Sequence, residues 1–158
     1  MDRFGEDFIS DVRACVDARL VRYFEAKRAE VFAKSPLSVP LVDAIESLTM
    51  RGGKRLRPVV VAAVVSAVRG EDMPEAIASV GAAFELLQSY LLIHDDFMDE
   101  DEERRGGPAV HMIFRNALGD AHLGDSVGIL AGDLAGAYAW ELLFEADFPA
   151  ARRKDGYE

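Results

Sequence analysis

The densest chemistry in the chain lies in His94-Asp95-Asp96-Phe97-Met98-Asp99. On a helix, Asp95 and Asp99 stand one turn apart on one face, and Asp96 lies about 100° round from Asp95. Three carboxylates this close repel one another unless cations sit between them. Hard oxygen donors of this kind suit Mg²⁺, which keeps several waters and shares its other positions with substrate phosphates. A solvated acidic helix end is the plainer reading, because Glu100, Asp101, Glu102 and Glu103 continue the run. The apolar Leu91-Leu92-Ile93 just upstream favours the metal, since the carboxylates then begin where a buried helix emerges.

A second segment has the opposite charge: Gly52-Gly53-Lys54-Arg55-Leu56-Arg57-Pro58. Paired glycines let the backbone come close to a ligand, and three cations within four residues follow them. A helix N-terminus already favours anions through its free N–H groups and dipole. Cations gathered there gain nothing from the dipole and make more sense as a clamp on a diphosphate. A Gly-Gly turn followed by ordinary surface cations stays open as the alternative, and the spacing is not that of a P-loop. Arg104-Arg105-Gly106 closes the acidic run. These arginines are shaped for bidentate phosphate contacts, or they simply neutralise Asp101, Glu102 and Glu103. Gln88, two turns before Asp95 on the same face, either offers its amide to that cavity or bonds within the core.

Helices must position these groups. Apolar periodicity predicts helices over residues 4–32, 41–50, 58–69, 73–102, 109–118 and 126–145, with no strand carrying a hairpin turn. Ser35-Pro36, Pro40, Gly52-Gly53, Gly70 and Gly106-Gly107-Pro108 punctuate them, and Asp72 and Pro74 mark the start of the longest. The fold class is therefore all-α. The stretch 76–93 is long enough for a bilayer, but Glu85 and Gln88 interrupt it and Asp95 and Asp96 follow at once. A buried core helix is expected rather than a transmembrane segment. Helix 126–145 is apolar on more than one face and wants neighbours on several sides. Residues 151–158 read as a polar tail.

The chain has 158 residues, a length that suits one domain. Its 28 acidic against 18 basic residues give a net charge of -10. That disfavours a general nucleic-acid binder, which needs a basic surface to displace counterions. Cys15 is alone, so no internal disulfide forms. Acidic residues stand where a secretion signal carries positive charge. A cytoplasmic setting is expected.

Taken together, GGKRLRP followed by LLIHDDFMDEDEERRGGP closely resembles the trans-isoprenyl diphosphate synthases, or polyprenyl synthetases, from about Ala44 to Tyr138. The resemblance implies an all-α bundle around a deep cavity, of which residues 1–158 supply the N-terminal half as a single partial domain. It implies head-to-tail condensation of isopentenyl diphosphate with an allylic diphosphate, releasing pyrophosphate. Asp95, Asp96 and Asp99 match the first aspartate-rich motif, which holds Mg²⁺ against the allylic diphosphate. Arg104 matches an arginine on the same diphosphate. Lys54, Arg57 and Arg105 match the isopentenyl diphosphate site, with Gln88 where the family has His or Gln. Tyr90 and Leu91, five and four residues before Asp95, match the positions that floor the prenyl tail. An aromatic Tyr90 implies a geranylgeranyl product, with farnesyl next. A homodimer is implied for the full-length form.

The sequence departs from the family in one respect. The second aspartate-rich motif and the later Lys-Thr and Phe-Gln regions are absent, and Asp120, Asp125 and Asp133 are isolated and fall too soon. A fragment of a full synthase is the first expectation. A non-catalytic subunit that modulates a complete synthase is the second. A terpene cyclase shares the aspartate motif but has no use for Gly52-Gly53-Lys54 with Arg57.

Overall fold

In the computed structural model, residues 5–69 and 75–146 are described. Among them are six α-helices: α1 (Glu6–Lys34), α2 (Val39–Met50), α3 (Leu56–Arg69), α4 (Glu75–Met98), α5 (Val110–Leu118) and α6 (Ala121–Glu145). A 3₁₀ turn (Pro36–Ser38) links α1 to α2, and a two-residue ladder pairs β1 (Glu103–Arg104) with β2 (Gly107–Pro108). The expected stop at Gly70, the helix start at Asp72 and Pro74, and the tail from Ala151 lie outside the described residues.

The core follows from helical spacing. Val12, Val16, Leu20, Tyr23 and Phe24 line one buried face of α1. They pack with Ile45 and Leu48 of α2, Leu86 and Ile93 of α4, and Tyr138 and Leu142 of α6. The α4 helix is central, touching every other α-helix. Both α4, from Ile77, and α6 are long and apolar enough to cross a membrane. In the bundle they form its most extensively packed pair.

The α6 helix starts five residues earlier than its periodicity predicts, with Asp120 as N-cap accepting from Leu123 N–H at 2.9 Å. Glycines at 124 and 128 weaken the helical signal, yet here they serve close packing. A Cβ on Gly124 or Gly128 would fall within 2.8 Å of the α5 backbone at Arg115 and His111. Gly132 and Gly136 continue the stripe against His94 and Tyr90 of α4. The expectation that this helix needs further neighbours holds: Leu123, Leu130, Trp140 and Phe144 stay exposed. On α3, Leu56, Val60, Val64 and Val68 make a second exposed stripe at four-residue spacing.

Candidate functional site

The longest predicted helix stops at Met98 instead of continuing to residue 102. Acidic residues oppose the negative C-terminal end of a helix dipole, and the chain turns there. Glu100 takes the left-handed conformation at φ 57°. Asp101 N–H bonds back to Asp96 O at 2.8 Å and Glu100 N–H to Phe97 O at 3.4 Å, a Schellman closure. Asp99 N–H still reaches Asp95 O at 2.8 Å, so those two carboxylates keep their one-turn relation.

The three aspartates then separate. Asp95 and Asp99 are exposed, and neither has an ion-pair partner among the described residues. Asp96, grouped with them on sequence, is fully buried. Its Oδ1 accepts from Arg104 Nε at 2.6 Å and also meets Arg104 Nη2. Its buried Oδ2 has no partner among the described residues. Arg104 spans to Asp101 as well, at 2.8 Å. The hydrogen bond that Arg104 donates to Asp96 pushes the Arg104 pKa above its ordinary value.

No three His, Cys, Asp or Glu side chains converge into a cage among the described residues. Two open carboxylates at a helix C-terminus are nonetheless a donor set that suits Mg²⁺, which takes one or two carboxylates and fills its sphere with water and phosphate oxygens. The residues present fit that ion.

The basic segment is organised differently. Gly52 and Gly53 take φ of 87° and 127°, and Arg55 a strained 48°. Lys54 and Arg57 are exposed and free of ion pairs among the described residues. Arg55 is buried: Nη1 donates to Glu85 at 2.5 Å, Nε to Asp17 at 2.9 Å and Nη2 to Thr49 O at 2.9 Å. It is scaffold, not clamp.

Arg105 joins the two ends. It and Gly106, with φ of 53° and 72°, form the two-residue turn between β1 and β2. Positive φ at both central positions is the I′ geometry that hairpins favour. The Arg105 guanidinium donates to Gly52 O at 3.0 Å and Leu48 O at 3.3 Å, and lies against Gly53. Burial, then repulsion from Arg55, pushes its pKa below the ordinary value; Arg104 and Arg51 add to this and Glu85 opposes it. Cations crowded this way favour an anion between them. Arg51, which the sequence reading passed over, braces the hairpin through Arg104 O at 3.2 Å and Pro108 O at 2.9 Å.

A groove of about 490 Å³ runs between α4 and α6 beneath Asp95. Tyr90 and Leu91 line it with His94 and Met98, and Ile129 and Asp133 face them from α6. Tyr90 lies edge-on to His94 at 4.9 Å and against Gly136. Asp133, isolated on sequence, is thus brought to the groove, with His94 Nε2 3.6 Å away. On sequence it is isolated and falls too soon after the first aspartate motif, and only the packing of α6 on α4 brings it there. Gln88 is half-buried on α4, one turn beyond Glu85, and among the described residues nothing claims its amide.

Known proteins resemble this chain in sequence and fold. The chain is 37% identical over 144 residues to the farnesyl diphosphate synthase of Geobacillus stearothermophilus, covering 90% of this chain and 42% of that one. It is 43% identical over 101 residues to the short chain isoprenyl diphosphate synthase of Methanocaldococcus jannaschii, covering 64% of this chain and 28% of the other. Among solved structures, the geranylgeranyl pyrophosphate synthase of Corynebacterium glutamicum, complexed with isoprenyl diphosphate and magnesium, superposes with a TM-score of 0.81 at 31% identity. That match covers 96% of this chain and 45% of the synthase. The chain thus spans less than half the length of these relatives. The polyprenyl synthetase family model matches residues 39–154. That match takes in both oppositely charged segments and most of the helices around them, and the chain belongs to the polyprenyl synthetase family.

Proposed function

We propose that these helices carry both diphosphate sites of a short-chain prenyl diphosphate synthase. The observation that supports this most is the hairpin: consecutive residues Arg104 and Arg105 serve opposite ends, one on Asp96 and the other on Gly52. An allylic diphosphate then lies at Asp95 and Asp99 with Arg104, its prenyl tail in the groove. Isopentenyl diphosphate lies on Lys54, Arg57 and Arg105, with Gln88 between the two. Mg²⁺, when bound, neutralises the departing diphosphate.

The chain's own groups do the rest. Asp95 and Asp99 present open oxygens to the cation, and Arg104 adds charge where the leaving group develops it. Tyr90, Leu91, Phe97, Met98 and Ile129 give the groove an apolar stretch for the prenyl tail, and a full synthase must close it against water that would capture an allylic cation. The allylic C–O bond breaks, the isopentenyl double bond forms the new C–C bond, and a proton leaves to the released pyrophosphate. Completed condensation belongs to a full synthase fold, in which the family's homodimer is proposed as well. A non-catalytic subunit is the alternative. It has no need for two open carboxylates.

Calorimetry tests the reading. Allylic diphosphate should bind only with Mg²⁺ and lose binding in Asp95→Asn. Isopentenyl diphosphate should bind without Mg²⁺ and lose binding in Lys54→Ala. Binding that survives both substitutions rejects it. Tyr90 floors the groove in this reading, and a geranylgeranyl product is proposed, with farnesyl next. Tyr90→Ala in a complete synthase should lengthen the products, and an unchanged distribution removes the floor.

A further inference from the structure

We propose that α1 is a positioning element of the diphosphate loop, acting through Arg13 and Asp17. This rests on the reading of Lys54, Arg57 and Arg105 as a diphosphate site. The loop that carries Lys54 and leads into Arg57 is poorly held by its own backbone. Three of its residues have positive φ, and among the described residues only Gly52 N–H, on Met50 O at 2.7 Å, donates a backbone bond outside the helices from Gly52 to Arg55. Side chains must fix it.

Two grips come from α1. Arg13 Nε donates to Lys54 O at 3.1 Å, and Asp17 Oδ1 accepts from Arg55 Nε at 2.9 Å. Arg13 and Asp17 are one helical turn apart, so they share a face. They take hold of consecutive loop residues, one by the backbone and one by the side chain. Lys54 thereby has its carbonyl tied down while its ammonium stays free.

The helix itself is anchored elsewhere. Tyr23 Oη donates to Glu141 at 2.6 Å, Lys27 to the same carboxylate at 2.5 Å, and Arg19 to Glu145 at 2.9 Å. Glu141 and Glu145 lie on α6, the far wall of the groove. The α1 helix therefore references the cationic loop to the wall along which the prenyl tail runs. It lies outside the residues that the family model matches.

The charge of Asp17 makes the proposal testable. A carboxylate near a cationic site repels pyrophosphate, so Asp17→Asn tightens binding if electrostatics alone matters. A positioning role gives the opposite sign. The experiment titrates the whole chain with inorganic pyrophosphate in the absence of divalent metal, with urea unfolding run on each variant. Lys54→Ala should weaken binding by about tenfold or more. Asp17→Asn should weaken it by about fivefold, and so should Arg13→Lys, which keeps the charge and loses the Nε donor. In the Lys54→Ala background, Asp17→Asn should have a smaller effect, because part of its action runs through Lys54. Unchanged or tighter binding in folded Asp17→Asn and Arg13→Lys overturns the proposal while leaving the diphosphate site standing. A loss that adds in full on Lys54→Ala overturns it too. Pyrophosphate binding indifferent to Lys54→Ala removes the site, and the proposal with it.

Discussion

The acidic and basic ends of this bundle follow one plan with different reach. Each withdraws one charged residue from its motif and leaves the neighbours open: Asp96 from the aspartates, Arg55 from the cations. Asp96 finds its partner only eight residues away, in Arg104. Arg55 finds partners 38 and 30 residues away, on α1 and α4. The acidic end is therefore a local construction of one helix terminus and its hairpin. The basic end exists only once three helices have packed.

That difference sets a ranking of effects. Arg55→Leu strands buried Glu85 without its cation and should cost about 3–5 kcal/mol in urea unfolding. A loss below about 1 kcal/mol would mean the basic end is as local as the acidic one. Asp96→Ala should cost less, about 1–3 kcal/mol, because water reaches the partner Arg104. It should lower Mn²⁺ affinity, followed by electron paramagnetic resonance, less than Asp95→Asn does, because Asp96 Oδ1 is held by Arg104. A larger fall would place Asp96 among the ligands.

His111 supplies a pH test behind the acidic end. Burial, with Arg115 nearby, lowers its pKa from the ordinary 6.5, and its ring packs edge-on to Phe97. The unfolded chain then takes up the proton first as pH falls. The contribution is full above about pH 6.5 and declines below it, towards the lowered folded value. Urea midpoints on either side of that pH should converge in His111→Phe; an unchanged slope in that variant refutes the assignment. The smallest effect on stability belongs to Asp95→Asn, within about 0.5 kcal/mol, although Mn²⁺ affinity should fall by about tenfold. A destabilised Asp95→Asn would show that this carboxylate is structural after all.

Much of this was legible in the sequence, and the exceptions share a cause. Spacing located the helices and both charged segments, because periodicity and residue type are local properties. It could not tell Asp96 from Asp95, or Arg55 from Lys54, since burial depends on which helix arrives opposite. Carrying α4 on to residue 102 ignored the dipole, which argues against acids in a last turn. Asp133 reached the groove by tertiary packing alone. The early start of α6 was hidden by glycines, whose helix penalty is real but is outweighed here by what they admit.

In the proposed reading of Tyr90 as the groove's floor, those glycines also bear on product length. Gly136 is the surface against which Tyr90 rests, and a methyl group there would sit 3.3 Å from its ring. Gly132 stands likewise under His94. The bore of the groove is thus gauged by two absent side chains as much as by the tyrosine. A chain that kept Tyr90 and gained alanine at 136 would carry the same floor in a narrower channel, so product length in such proteins should be read from both helices together.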